Sequence, residues 1–136
     1  MATRRLHTRL LVQVAEDLAL ENILGQFDEE QDSDNLVQLV GPVDITLPAG
    51  ATGTQFNFPT GATVLRFLAI MGVDNSNGVE VLMDNAANYQ FLVKPPIGSG
   101  MDGQLVATVS ATALYFDNPD ATSSVSFQLL AGFAAS

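Results

Sequence analysis

Val125-Ser126-Phe127-Gln128-Leu129 alternates apolar and polar side chains, the period of two that turns one face of a β-strand toward a core and the other toward water. The same alternation recurs upstream. Val43, Ile45 and Leu47 stand against Asp44 and Thr46, Phe56 and Phe58 against Gln55 and Asn57, and Tyr89, Phe91 and Val93 against Asn88 and Gln90. Leu105, Ala107 and Val109 continue it, as do Leu114 and Phe116. Turn residues bound the runs: Gly41-Pro42, Pro48-Ala49-Gly50, Pro59-Thr60-Gly61, the stretch 74–78, Pro95-Pro96, Gly98-Ser99-Gly100 and the stretch 117–120. About seven to nine short strands at this spacing predict an all-β fold, an antiparallel β-sandwich, jelly-roll-like in its simplest solution. The sandwich is expected over 36–136, after an N-terminal arm and acidic linker over 1–35.

Residues 63–71, Thr-Val-Leu-Arg-Phe-Leu-Ala-Ile-Met, break the alternation. Strict alternation places Leu65, Phe67, Ala69 and Met71 on one face and Val64, Leu68 and Ile70 on the other, around Arg66. A sheet with one face in water does not read this way, so a second cover is expected, from the N-terminal segment or from another subunit. Arg66, Leu68 and Ile70 are therefore candidate partner-interface residues. Pairing this strand with residues 79–83 through a short turn would set Asp84 opposite Arg66, with Glu80 on the same face.

The N-terminal segment reads two ways. Leu6, Leu10, Leu11, Val14, Leu18, Ile23 and Leu24 recur at mostly three- and four-residue spacing, the stripe of an amphipathic helix. Arginines at its start oppose the helix dipole, however, and Leu10-Leu11-Val12-Gln13-Val14 serves equally well as a strand. The segment is thus expected to be a helical or extended arm, with Arg4, Arg5, Arg9, Leu10 and Val14 as its candidate contacts. The acidic stretch 28–34 reads as a solvated linker. A calcium loop beginning at Asp28 needs Gly at its sixth position and Glu at its twelfth, and the chain has Ser33 and Leu39 there.

Composition narrows the function. At 136 residues with 47% hydrophobic content the chain fits one core domain, and it contains no Cys, no Trp and one His. Without Cys there is no disulfide framework, thiolate metal site or Cys nucleophile. His7 lies among arginines, so no Ser-His-Asp arrangement is expected. Acidic pairs for glycoside hydrolysis exist only by count, with Glu80 alone among the glutamates in the strand body. Glycines 98, 100 and 103 lack the Lys-Ser/Thr of a phosphate loop. No catalytic residue, cofactor or metal is therefore expected. From position 10 onward two basic residues face fifteen acidic ones, a net −13, which repels phosphate backbones and excludes nucleic acid as a partner of the body. No apolar run reaches the roughly 18 residues of a membrane span, and no signal-peptide pattern opens the chain, so synthesis in the cytoplasm and no membrane contact are expected.

The segments Thr63-Val-Leu-Arg-Phe-Leu-Ala-Ile, Gly78-Val-Glu-Val-Leu-Met, Tyr89-Gln-Phe-Leu-Val, Leu114-Tyr-Phe-Asp-Asn and Val125-Ser-Phe-Gln-Leu-Leu-Ala-Gly together resemble the small β-sandwich structural proteins of tailed-bacteriophage virions, the decoration or cement type above all. The resemblance lies in strand rhythm and in the asparagine step before the last strand. It implies a non-enzymatic virion protein that forms a homo-oligomer, a trimer or dimer, and stabilises the head by gripping the major capsid protein or another virion protein at capsomer joints. It implies no catalytic or ligand residue. The alternatives are a phage tail, neck/adaptor or fibre-associated structural protein, and a lectin-like glycan-binding module marked by an exposed aromatic at Tyr89 or Tyr115.

Overall fold

The computed structural model describes residues 4–15, 23–36, 38–85, 87 and 89–135. Every regular element among them is a strand, and the chain divides into two compact units, Met1–Leu36 and Val37–Ser136.

In the first unit β1 (Arg4–Ala15) pairs antiparallel with β2 (Ile23–Leu36) as a two-stranded ribbon. The helical alternative for the segment is thus replaced by strand, and the acidic stretch 28–34, expected as a linker, is part of β2. The reason lies in the cross-strand charges. Arg9 stands opposite Glu30 and His7 opposite Asp32. The Arg9 guanidinium donates from Nη2 to Asp28 Oδ2 at 3.2 Å, and its Nε is 3.7 Å from Glu30 Oε1. Exposed pairs of this kind contribute only roughly 0–1 kcal/mol, so they select the register more than they hold it. A helix would instead leave the arginines at its positive end.

The second unit is a sandwich of two four-stranded antiparallel sheets. One has the order β3 (Gln38–Leu47), β10 (Val125–Ala134), β5 (Val64–Val73), β8 (Gly103–Ala111). The other has the order β4 (Thr54–Phe56), β9 (Leu114–Asp117), β6 (Val79–Met83), β7 (Phe91–Val93). Of the connections from β3 to β10, only β6 to β7 stays within one sheet. The core fills the space between the sheets. Phe127 and Phe133 of β10 join Leu65, Leu68 and Ile70 of β5 and Val81, Leu114 and Phe116 of the facing sheet, all buried. The Phe116 and Phe127 rings meet at 5.2 Å and 59°, and those of Phe58 and Phe133 at 4.7 Å and 58°, tilted geometries that favour ring edge over ring face.

Two corrections to the sequence reading follow from topology. β5 and β6 are consecutive but lie in different sheets, so Arg66 has no register with Asp84 or Glu80. Arg66 is exposed at a bulge where β5 gains a residue relative to β10, between the Phe67–Gly132 and Leu65–Phe133 pairs. That extra residue also re-phases the strand. Leu65, Leu68, Ile70 and Val73 all point into the core, while Phe67, Ala69 and Met71 take the outer face, in place of the strict alternation that grouped Leu65 with Phe67. A second irregularity, at Gly72 with φ 72°, returns Val73 to the inside.

The edge strand β3 carries its own bulge at Gly41-Pro42, opposite Leu129–Ala131 of β10. Gly41 has φ 104°, and a Cβ there would run into the Leu129 carbonyl oxygen.

At one end of the sandwich three sheet-crossing loops are tied by buried amides. Asn118, 2% exposed, donates from Nδ2 to the carbonyl oxygens of Pro48 at 3.0 Å and Ser123 at 2.9 Å, and its Oδ1 accepts from the Asp120 N–H at 3.0 Å. Asp120 Oδ2 accepts from Asn75 Nδ2 at 3.0 Å, and its Oδ1 accepts from the Thr122 N–H and hydroxyl, both at 2.9 Å. The β3–β4, β5–β6 and β9–β10 loops are thereby fastened together. These donors, led by the Thr122 N–H, hold the Asp120 carboxyl far below the usual carboxylate range.

Two outcomes are expected. Phe127→Ala empties a central core position and costs about 3–5 kcal/mol of unfolding free energy in denaturant titration. Asp120→Ala weakens the loop tie in a pH-dependent way. A carboxyl whose folded pKa is depressed stabilises fully above its unfolded value, about 3.9, and loses that contribution as pH falls toward the folded value. Urea unfolding should therefore separate wild type from Asp120→Ala at pH ~7 and bring them together progressively below pH ~4; a gap that stays constant down to strongly acid pH would remove Asp120 from the tie.

Candidate functional site

Of the residues expected at a partner interface, Leu68 and Ile70 are fully buried, at 0% exposure, within the core cluster of the sandwich. They fill the unit's own interior, because the Arg66 bulge turns them inward. Arg66 is exposed on the same strand. Arg9 is exposed in β1 and engaged with Asp28 and Glu30. The backbones of Arg4, Arg5, Leu10 and Val14 run in β1, and their side chains lie outside the described residues.

The carboxylates are spoken for or laid out flat. Asp84, at φ 66°, accepts from the Thr112 N–H at 2.6 Å and hydroxyl at 3.0 Å and from the Ala113 N–H at 3.3 Å, closing the end of β6 onto the β8–β9 turn. The Thr112 N–H leads in pushing its pKa down. Glu80 faces Asp117 across β6 and β9, and burial, then the Asp117 charge, raises its pKa. A raised acid beside a second carboxylate is a pattern found in acid–base sites. Here it lies on the sheet face turned away from Val81 and Phe116. The clefts around Asp44 and Met71, around Ile45 and Phe56, and around Asp74 and Asp120 include neither residue. Among the described residues no group of three or more His, Asp or Glu is placed to hold a metal ion. Asp74 and Asp120 line one polar cleft with Asn75, but Asp74 accepts from the Ser126 N–H at 2.9 Å and Asp120 serves the loop tie. Tyr89 is exposed on the β6–β7 connection, and Tyr115 is half-buried in β9.

What sets the molecule apart is its outer apolar surface. On the face of the β3-β10-β5-β8 sheet turned from the core, the register aligns Leu39, Gly132, Phe67 and Thr108 in one row and Leu130, Ala69 and Val106 in the next. Phe67 is 5% exposed although it is no part of the inter-sheet core, while Leu39, Met71 and Val106 are exposed. The signal for this surface was present in residues 63–71, whose apolar character exceeds what one buried face requires. Its composition escaped sequence reading, because Val106 and Leu39 join Phe67 only through strand order.

On β8 the exposed side chains are Gln104, Val106, Thr108 and Ser110, neutral throughout and apolar at Val106. This strand closes its sheet on one side and pairs, among the described strands, with β5 alone. The loop before it carries exposed Ile97 and Met101. A chemistry-poor surface of this kind can bury area against another protein and offers no group for bond making.

Comparison with protein-family models, with curated proteins and with solved structures finds no match to this chain.

Proposed function

We propose that this chain is a non-enzymatic structural protein of a tailed-bacteriophage virion, of the capsid decoration or cement type, which acts as a homo-oligomer and stabilises the head by binding the major capsid protein at capsomer joints. The observation that carries the reading is the strand order. Two four-stranded sheets in the orders β3-β10-β5-β8 and β4-β9-β6-β7, with nearly every connection crossing between them, support a jelly roll, an architecture that viral capsid and lectin domains share.

The β1–β2 ribbon supports the same reading. A lone two-stranded hairpin is at best marginally stable in water, so we read it as an extended arm that gains its remaining contacts on a neighbouring virion protein or copy. Arg4, Arg5, Leu10 and Val14 are its proposed contacts. Each copy then needs only a weak grip, since many copies on one particle make the total attachment large. The acidic body suits a protein that stays outside the packaged genome, where phosphate repels it. A lectin-like glycan-binding module is the second reading, favoured by the same strand order and by exposed Tyr89.

Mass spectrometry and electron microscopy of virions of the phage that encodes the chain test the proposal. The expected result is a copy number commensurate with the major capsid protein, density on the head surface, and heads that burst at lower temperature when the protein is deleted. A few copies confined to the tail or neck would place it there instead. Absence from particles combined with binding on a glycan array, lost in Tyr89→Ala, would favour the lectin reading.

A further inference from the structure

We infer that β8 is a homodimerisation edge, along which two copies of this chain join antiparallel about a two-fold axis at Ala107 to make one continuous eight-stranded sheet. The inference rests on the sandwich alone and is independent of the virion reading.

The sandwich has edges at β3, β8, β4 and β7. Native edge strands are normally shielded from pairing by shortness, charge, proline or bulges. β4 and β7 are three residues long, and β3 carries the Gly41-Pro42 bulge and Asp44. β8 lacks the first three of these devices, and its register against β5 shifts by one residue only near its ends, between Thr108 and Ala111 and between Gly103 and Leu105. It spans nine residues, Gly103–Ala111, with neither a charged residue nor a proline. Residues 37–136 carry seven acidic groups against Arg66 and Lys94, so two copies repel each other over most of their surfaces. The uncharged edge is where they can approach.

The sequence of the edge selects a second copy as its occupant. Gln104-Leu105-Val106-Ala107-Thr108-Val109-Ser110 reads in nearly the same chemical order from either end. With Ala107 on the axis, polar Gln104 meets Ser110, apolar Leu105 meets Val109, and β-branched Val106 meets Thr108, each pair occurring twice. That self-complementarity is what an isologous contact requires, since residue i of one copy must suit residue j of the other and the reverse. Leu105 and Val109 already lean on the core as its partly buried rim, so the paired strands would extend the core across the junction. On the outer face Val106, 43% exposed, gains a partner.

The test uses the full chain. Sedimentation should show a wild-type dimer at micromolar concentration. In Val106→Lys with Thr108→Lys, like charges face each other twice across the axis, and the dissociation constant should rise about tenfold or more, with an unchanged circular-dichroism spectrum. Mixing this variant with Val106→Glu/Thr108→Glu should restore a heterodimer, which a merely unfolding substitution would not do. Because the chain has no cysteine, Ala107→Cys should form an intermolecular disulfide on oxidation, while Thr46→Cys on the opposite edge should not. A wild-type monomer throughout the micromolar range overturns the inference. So does an oligomer that persists in both charged variants.

Discussion

Burial between the two sheets is the interaction on which the rest of this structure depends. A side chain such as Phe116 or Phe127 contributes about 1.5–3 kcal/mol when it leaves water, and the buried residues of β5, β6, β9 and β10 sum such terms across one continuous interlayer. Because the chain passes from sheet to sheet at almost every connection, neither sheet forms without the other. The loops at one end follow from this. Crossing backbone that is withdrawn from water needs partners, and Asn75, Asn118 and Asp120 supply them. Their side chains answer a constraint set by packing, which is why these residues, rich in polar chemistry, belong to the scaffold.

The same constraint explains the surface. Two sheets that bury one face each leave two faces outside, and the outward positions Asp44 and Thr46 of β3 and Ser126 and Gln128 of β10 are polar as expected. The outer face of β5 is different. Its bulge at Arg66 inverts the phase of the strand, moves Leu68 and Ile70 inward, and turns Phe67, Ala69 and Met71 outward beside Leu130 and Val106. On this outer face Leu39, Met71 and Val106 are exposed while Phe67 and Ala69 are buried, and the rows end at the uncharged edge strand β8.

The functional picture is accordingly one of surfaces. Carboxylates are bound into turns, as at Asp84 and Asp120, or paired on an open sheet face, as at Glu80 and Asp117. In the dimer proposed above, the acidic charge of the sandwich works against association, and the joined edge is a stretch without charge. Selectivity by exclusion of this kind needs no specialised residue, only a stretch such as 104–110 in which every side chain is neutral.

Sequence alone determined that the body is all-β, because the period-two runs and the turn residues between them allow no other regular element; the run 125–129 is the first half of strand β10, which continues to Ala134. It also determined that residues 63–71 carry more apolar surface than one face can bury. Local sequence could not choose between helix and strand for the first unit, where the apolar spacing fits both and the deciding charges lie across the ribbon, in Asp28 and Glu30. Nor could it place Arg66. Its partner strands are β10 and β8, which are distant in sequence, and the natural assumption of a hairpin with residues 79–83 fails because that turn carries the chain to the opposite sheet. Only the tertiary structure decided which side chains of β5 face inward, since a single inserted residue at a bulge exchanges the two faces of a strand, and bulges are written in the pairing between strands and not in either strand by itself.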